Sequence, residues 1–416
     1  MPGTTTPNPY RWMMLAGVWL VYYCFGLQTA AMAPLVKPVT DDLGLSYSAM
    51  GAVLGAWQLV YIATALPCGA FLDRVGLRRA LFLSAVIMAS SGMLRALAVD
   101  HLTLFLAVAL FGFGGPLISI GAPKLISQWF AGKERGLAMG LYITGPSLGN
   151  ITALALTNSV MMPLADGNWR AVLSTYAAFA LGAGMVWLAI SSHQANRKME
   201  ATVDARPKQN QVQVFSALLR LRPVRIVLLM SIGIFFFNHA LNSWLPEILR
   251  SGGMDATSAG YWSSVPTAMG IIGALLIPRL AIPSRRLFIL FALFVGAAAA
   301  SLLLQSGAGL PLAVGLTLQG LARSSMMTVS VLVLMETRDV DSRNMGAAGG
   351  LFFSAAEIGG VLGPLTIGSL SDLTGGFTAG LYLLTGICVV LMALLWVLRG
   401  ESGTKDPAGD DHRGGG

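Results

Sequence analysis

Gly69-Ala-Phe-Leu-Asp73-Arg74-Val-Gly76-Leu-Arg78-Arg79 is a short polar turn between two apolar runs, 48–72 and 80–99. About 20 helical residues cross the hydrocarbon of a bilayer, and each run is that long. So little chain separates them that they must be consecutive spanning helices. Gly76 permits the tight reversal, and Gly69 permits a close helix approach. Asp73, at the hydrocarbon boundary, is placed to accept hydrogen bonds from a helix N-terminus and to pair with an arginine. Charge anchoring at one membrane face would explain Arg74, Arg78 and Arg79, but not Asp73 and the two glycines.

The rest of the chain has the same character. Of its 416 residues, 55% are hydrophobic and 11% charged, against about 25% charged in a soluble domain. Mean hydropathy is +0.69. Too few polar residues exist to coat a soluble globule. Cys24, Cys68 and Cys388 all lie in apolar runs, which excludes a disulfide framework or a Cys-rich metal site. No cofactor or metal is expected. Twelve apolar runs predict an all-α membrane protein with spans at 12–34, 48–72, 80–99, 102–128, 136–160, 170–191, 224–246, 257–280, 286–306, 309–335, 346–370 and 377–398. The first is longer than the apolar region of a signal peptide, and its flank Met1–Arg11 is not strongly basic, so it is read as a retained helix.

Basic residues orient the spans. With a cytoplasmic N-terminus, one face gathers Arg11; Arg74, Arg78 and Arg79; Lys133 and Arg135; Arg197, Lys198, Arg206, Lys208, Arg220, Arg222 and Arg225; Arg279, Arg285 and Arg286; Arg338 and Arg343; and Arg399, Lys405 and Arg413. The other face holds only Lys37, Arg95, Arg170 and Arg250. This bias predicts a multi-pass protein of the cell membrane with both termini cytoplasmic. It also removes a nucleic-acid partner, because the net charge of +8 is spread along one membrane face rather than gathered in a patch.

The polar stretch 192–223 divides the spans six and six. The expected organisation is a half at 1–191, a central loop at 192–223, a second half at 224–398 and a disordered cytoplasmic tail at 399–416. The halves look duplicated. Gly140-Leu141-Tyr142 and Gly149 in span 5 recur 210 residues later as Gly350-Leu351-Phe352 and Gly359 in span 11, and Gln28 and Asn242 fall at similar depth in spans 1 and 7. Such repeats build secondary transporters.

The turn Gly69–Arg79 resembles the signature of the major facilitator superfamily, GxxxDRxGxRR between spans 2 and 3, and the resemblance covers the whole chain. It implies two pseudo-symmetric six-helix halves that alternate access around a site lined mainly by spans 1, 4, 7 and 10. It also implies that Gly69, Asp73, Arg74, Gly76, Arg78 and Arg79 gate, locking the outward-open state. Gly140, Gly145-Pro146 and Gly149 resemble a degenerate antiporter motif, for which ordinary close packing is an equal explanation. The arginine that the family carries in span 4 is absent before Gly112 and Gly114, so no coupling scheme is carried over. The second copy of the turn is eroded to Pro278-Arg279 and Arg285-Arg286. Gln128-Trp129-Phe130, Asn168-Trp169-Arg170 and Asn242-Ser-Trp244-Leu245-Pro246-Glu247 resemble the cyanate/nitroimidazole permease-like branch, which implies a small, often anionic solute.

Charges at membrane depth cost several kcal/mol unless paired or hydrated. Arg323 is mid-way along span 10 and Glu357 mid-way along span 11, so the two either pair structurally or serve as anion counter-charge and titrating coupling group. Lys124 either snorkels to the inner interface or lines the inner vestibule; Arg95 is expected to snorkel outward. Asn238, His239 and Asn242 form a polar stripe on span 7, with His239 a candidate proton carrier. Tyr22, Gln28, Trp57, Tyr61 and Tyr142 would wall a small-solute cavity or pack the core. Gly145-Pro-Ser147-Leu-Gly149 fits a nucleophile-elbow string, but it lies in a spanning helix without the strand–turn–helix the elbow needs, so no enzyme is expected. The sequon Asn150-Ile-Thr152 is buried at membrane depth and should be silent. The expected function is ion- or proton-coupled transport of a small organic anion by a single chain. Export of amphipathic compounds is the alternative within the fold, and a non-transporting sensor is the alternative of another class.

Overall fold

A computed structural model of the chain describes residues 9–193, 211–335, 340 and 345–402. It is all-helical, with no strand among the described residues. Twelve long helices among those residues overlie the twelve apolar runs: α1 Tyr10–Ala30, α2 Tyr47–Val75, α3 Leu77–Ala96, α4 His101–Trp129, α5 Gly132–Leu156, α6 Trp169–Ser191, α7 Arg222–Ser251, α8 Ala256–Leu280, α9 Arg286–Leu303, α10 Leu310–Met335, α11 Met345–Thr374 and α12 Thr378–Ser402. Among the described residues, eleven stretches are long and apolar enough to cross a membrane. The remaining helix is α5, whose Lys133, Glu134, Arg135, Asn150 and Thr152 dilute its apolar run; it continues into a π turn, Thr157–Met161.

Beyond shifts of a few residues at helix ends, such as α7 running on to Ser251 and α12 to Ser402 where a disordered tail was expected from 399, two departures from the sequence reading stand out. Run 12–34 ends as helix at Ala30, and the chain then makes a 3-10 turn, Ala33–Leu35, and a short helix, Val36–Leu43. Pro34 near the start of that turn has no N–H to continue α1. The central loop 192–223 lies largely outside the described residues, but its later part is a helix, Gln211–Arg220. The tail beyond 402 also lies outside them.

The Gly69–Arg79 turn marks one membrane face, the motif face; the opposite one is the far face. Helices α2, α4, α6 and α8 start on the far face, each with a side-chain cap. Ser46 accepts from Ala49 N–H, Asp100 from Thr103, Asn168 from Arg170 and Ala171, and Asp255 from Thr257 and Ser258. These caps satisfy N–H groups that a helix leaves orphaned.

Packing repeats between the halves. The first half pairs α1 with α5, α2 with α4, α3 with α4 and α3 with α6; the second pairs α7 with α11, α8 with α10, α9 with α10 and α9 with α12. Adding six to each helix number converts one set into the other. Two seams join the halves, α2 on α11 and α5 on α8, and the same operation exchanges them.

Both seams close toward the far face. A methyl on Gly51 would meet the Pro364 carbonyl at 2.5 Å, one on Gly55 the Val361 carbonyl at 2.9 Å, and one on Gly260 the Leu154 carbonyl at 2.5 Å. Toward the motif face, no described residue stands within 4 Å of where a methyl on Gly69, Gly136, Gly140, Gly349 or Gly350 would sit. Among the described residues nothing stands near Gly69, so the close helix approach expected there does not show among them.

Candidate functional site

Three side chains of α7 organise the centre. Asn238 and Asn242 share a face, being four residues apart. Across the seam, Asn150 of α5 donates to Asn242 Oδ1 at 3.2 Å, and Asn150 Oδ1 accepts from the Thr267 hydroxyl of α8 at 3.0 Å. Thr267 Oγ1 in turn accepts from Arg323 Nη1 of α10 at 3.4 Å, and the Arg323 carbonyl accepts from Asn238 Nδ2 at 3.2 Å. The bonds close a ring through α5, α7, α8 and α10. In hydrocarbon such a ring is the way these polar groups escape a desolvation cost of several kcal/mol each.

His239 takes its partners from α2 and α11 instead. Its Nδ1 meets Gln58 Nε2 of α2 at 3.0 Å, and its Nε2 lies 3.9 Å from Glu357 Oε2 of α11. Glu357 is 6% exposed, and its Oε2 has no hydrogen-bond partner among the described residues. Gly360, one turn on, makes room for this carboxylate: a methyl there would stand 2.6 Å from Glu357 Oε2 and 3.1 Å from Gln58 Cγ.

Arg323 and Glu357 do not pair. Equal depth suggested that they would, but α10 packs on α8 and α9 while α11 packs on α7 and α2, so the two residues turn to different neighbours. Arg323 takes Thr267, and Glu357 faces His239.

An aromatic wall from the first half faces these groups. Tyr22 and Tyr142 stack at 5.6 Å and 7°; Phe25 and Tyr61 both pack edge-on to Trp57. The Trp57 ring lies 5.9 Å from that of His239. Ser119 of α4 lies close to both the Tyr22 and the Tyr61 hydroxyl. The aromatics predicted for a cavity wall are therefore gathered in one place. Lys124 is half-buried and lies five residues further along α4 than Ser119, about 7.5 Å toward the motif face. Gln28 is wholly buried behind the wall, where its carbonyl accepts from Arg95 Nη1 at 3.0 Å.

Arg95 overturns an expectation. It does not snorkel outward; it is 2% exposed, with its guanidinium 5.3 Å from the centre of the Phe111 ring. Helical Cα–Cβ bonds tilt toward the N-terminus. For α3 that end is on the motif face, so a side chain near its far-face end points back into the protein. Arg95 borders a water-sized cavity of about 10 Å³ together with Thr29, Trp57, Gln58, His239 and Asn242.

At the motif-face turn, Gly76 has a φ of 82°, as the reversal requires, and its N–H donates to the Leu72 carbonyl. Arg78 donates to the Ser192 hydroxyl at 2.7 Å, and Arg74 and Arg79 are exposed. The Asp73 side chain lies outside the described residues. The far face carries a counterpart the sequence reading missed. Gly368, Asp372 and Gly375, at the far-face end of α11, repeat the spacing of Gly69, Asp73 and Gly76. Gly375 has a φ of 74°, and Asp372 caps α2 by accepting from Tyr47 N–H at 3.1 Å and Ser48 N–H at 2.6 Å. The Tyr47 hydroxyl donates to Glu247 at 2.5 Å, and Arg250 donates to the same carboxylate through two nitrogens. This latch ties α2, α7 and α11 together. Asn150, read only as a silent sequon, and Thr267 were likewise missed, because polar residues of this size recur in any apolar helix.

The family model of the Major Facilitator Superfamily matches residues 18–309 and 253–414. Relatives that cover most of the chain include the "Uncharacterized transporter YycB" of Bacillus subtilis, 26% identical over 93% of this chain and 94% of its own. The "Quinolone resistance transporter" of Acinetobacter baumannii is 25% identical over 86% of each. The "Probable L-galactonate transporter" of Escherichia coli is 24% identical over 89% and 85%. Among solved structures, the inward-facing, unoccupied form of a bacterial homologue of the human lysosomal transporter Spinster superposes with a TM-score of 0.77 at 16% identity, covering 96% of this chain and all of that one. The names of these relatives give no support to the narrower cyanate/nitroimidazole resemblance.

Proposed function

The chain belongs to the Major Facilitator Superfamily, and on that premise we propose that it is a secondary transporter carrying a small organic anion across the cell membrane by alternating access, coupled to protons or another ion. The observation that carries this reading is Arg323, a guanidinium at the centre of the molecule whose side-chain partner among the described residues is a hydroxyl rather than a carboxylate. A half-buried cation at membrane depth left without an anion is costly unless water or a ligand compensates it. The aromatic wall gives an apolar flank for a carbon skeleton, and one relative is named for a sugar acid.

The basic bias makes the motif face cytoplasmic, with both termini inside; the seams closed at the far face then make this an inward-facing conformation. Residues 1–191 and 224–398 are the two moving bodies of a transporter that works as one chain. Asp372 latches the far face in this state. On the motif face Asp73, with Gly69, Arg74, Gly76, Arg78 and Arg79, would latch the outward-facing state in the same way.

Arg323→Gln should cut uptake of a sugar acid into proteoliposomes at least tenfold while the purified protein stays folded; normal uptake by that variant would sink the reading. A second reading, export of amphipathic compounds, is favoured by the stacked tyrosines and by the quinolone-resistance relative. A deletion strain that becomes drug-sensitive while sugar-acid growth is unchanged would select it.

A further inference from the structure

Three arginines nearer the membrane faces are neutralised in place. Arg11 pairs with Glu134, Arg170 with Asp42, and Arg250 with Glu247. Arg95, buried near the far-face end of α3, and Arg323, half-buried midway along α10, are not: among the described residues no carboxylate lies within ion-pair distance of either. Arg95 spends one nitrogen on the Gln28 carbonyl, rests on the Phe111 ring, and leaves its Nε buried without a partner among the described residues.

The two guanidiniums stand at the ends of one polar path. Arg95 borders the small cavity whose wall includes Asn242 and Ser243. Asn242 is bonded to Asn150, Asn150 to Thr267, and Thr267 to Arg323. Arg95 belongs to the first half and Arg323 to the second. We infer that Arg95 is a second anion anchor, so that the solute is a polyhydroxylated dianion whose two acidic ends answer one arginine in each half. This rests on the anion-transport reading above and narrows its substrate class.

The physical reason is charge balance. A monoanion neutralises one of the two guanidiniums and leaves the other without a counter-charge at membrane depth; a dianion neutralises both. The guanidinium fork matches a carboxylate bidentately. The amides and hydroxyls between the arginines suit hydroxyl groups along a carbon chain. The cavity holds about 10 Å³ here, room for a single water, so the dianion is gripped at Arg95 only when the far-face ends of the halves separate. Selectivity then arises because the wrong ligand leaves a buried charge unmet.

Galactarate and galactonate test this, since they share a six-carbon hydroxylated chain and differ at one end, carboxylate against alcohol. Binding to the full-length protein in nanodiscs is measured for wild type and Arg95→Gln. Wild type should bind galactarate at least tenfold more tightly than galactonate, and Arg95→Gln should bring the ratio to about one. Equal affinity in wild type, or an unchanged ratio in Arg95→Gln, overturns the second anchor and leaves anion transport standing. Binding of neither acid overturns both. Should Arg95→Gln fail to fold, Ser243→Asp, which sets a carboxylate on the same cavity wall, reads the same ratio: collapse supports the anchor, and persistence overturns it.

Discussion

Glu357 shows what a single side chain can do at membrane depth. Its carboxylate has a neutral-capable neighbour, His239, at 3.9 Å, and no full cationic partner among the described residues. A carboxylate in hydrocarbon with no cation beside it can be balanced by a proton, which makes Glu357 and His239 the candidates for coupling. Glu357→Gln should abolish uptake driven by a pH gradient while solute exchange at equal pH persists; proteoliposome flux measured in the two modes checks it, and gradient-driven uptake at wild-type rate would remove Glu357 from coupling. The depth of both central charges, Arg323 and Glu357, was legible in the sequence. Their partners were not, because depth fixes position along a helix and leaves the direction of the side chain to the packing. Arg95 makes the same point more sharply: its place near the end of a run suggested water, and the tilt of the Cα–Cβ bond sent it inward.

At the level of helices, one pair of repeated glycines does the same job in both halves. Gly149 lies against the Tyr23 carbonyl of α1, and Gly359, 210 residues later, lies against the Ile232 carbonyl of α7. Gly140 and Gly350, the other repeated pair, face open space. The antiporter-like string of span 5 therefore packs α5 within its own half, where Pro146 also meets Gly26 of α1. Gly149→Ala and Gly359→Ala should each destabilise the purified protein by about 1–3 kcal/mol, since a methyl there overpacks rigid backbone. Gly140→Ala should be neutral or stabilising by up to about 1 kcal/mol, from helix propensity alone. Thermal unfolding in detergent separates the two outcomes.

Across the whole molecule, the far-face latch ties α2, α7 and α11 together in this conformation. Asp372 caps α2, and Tyr47, Glu247 and Arg250 add a hydrogen-bonded cluster on the same side. Removing the cap exposes the orphaned N–H groups of α2 and weakens the closed seam by about 1 kcal/mol, a typical cap contribution. Asp372→Ala should then raise the labelling rate of a cysteine placed at Met50, which is wholly buried here, several-fold from the far-face side. An unchanged rate would show that the glycine seam of α2 and α11 holds the face shut without the latch.

Twelve helices, their alternating direction and their duplication into two sets of six follow from the sequence alone, because hydrocarbon demands a run of apolar residues for every crossing and records it as composition. Which polar side chains meet is a different matter. Asn150 finds Thr267, Asp372 finds the start of α2, and Arg323 passes over Glu357, each through contacts between helices far apart in the chain. Those choices depend on how each helix is rotated about its axis, and only the packed structure fixes that rotation.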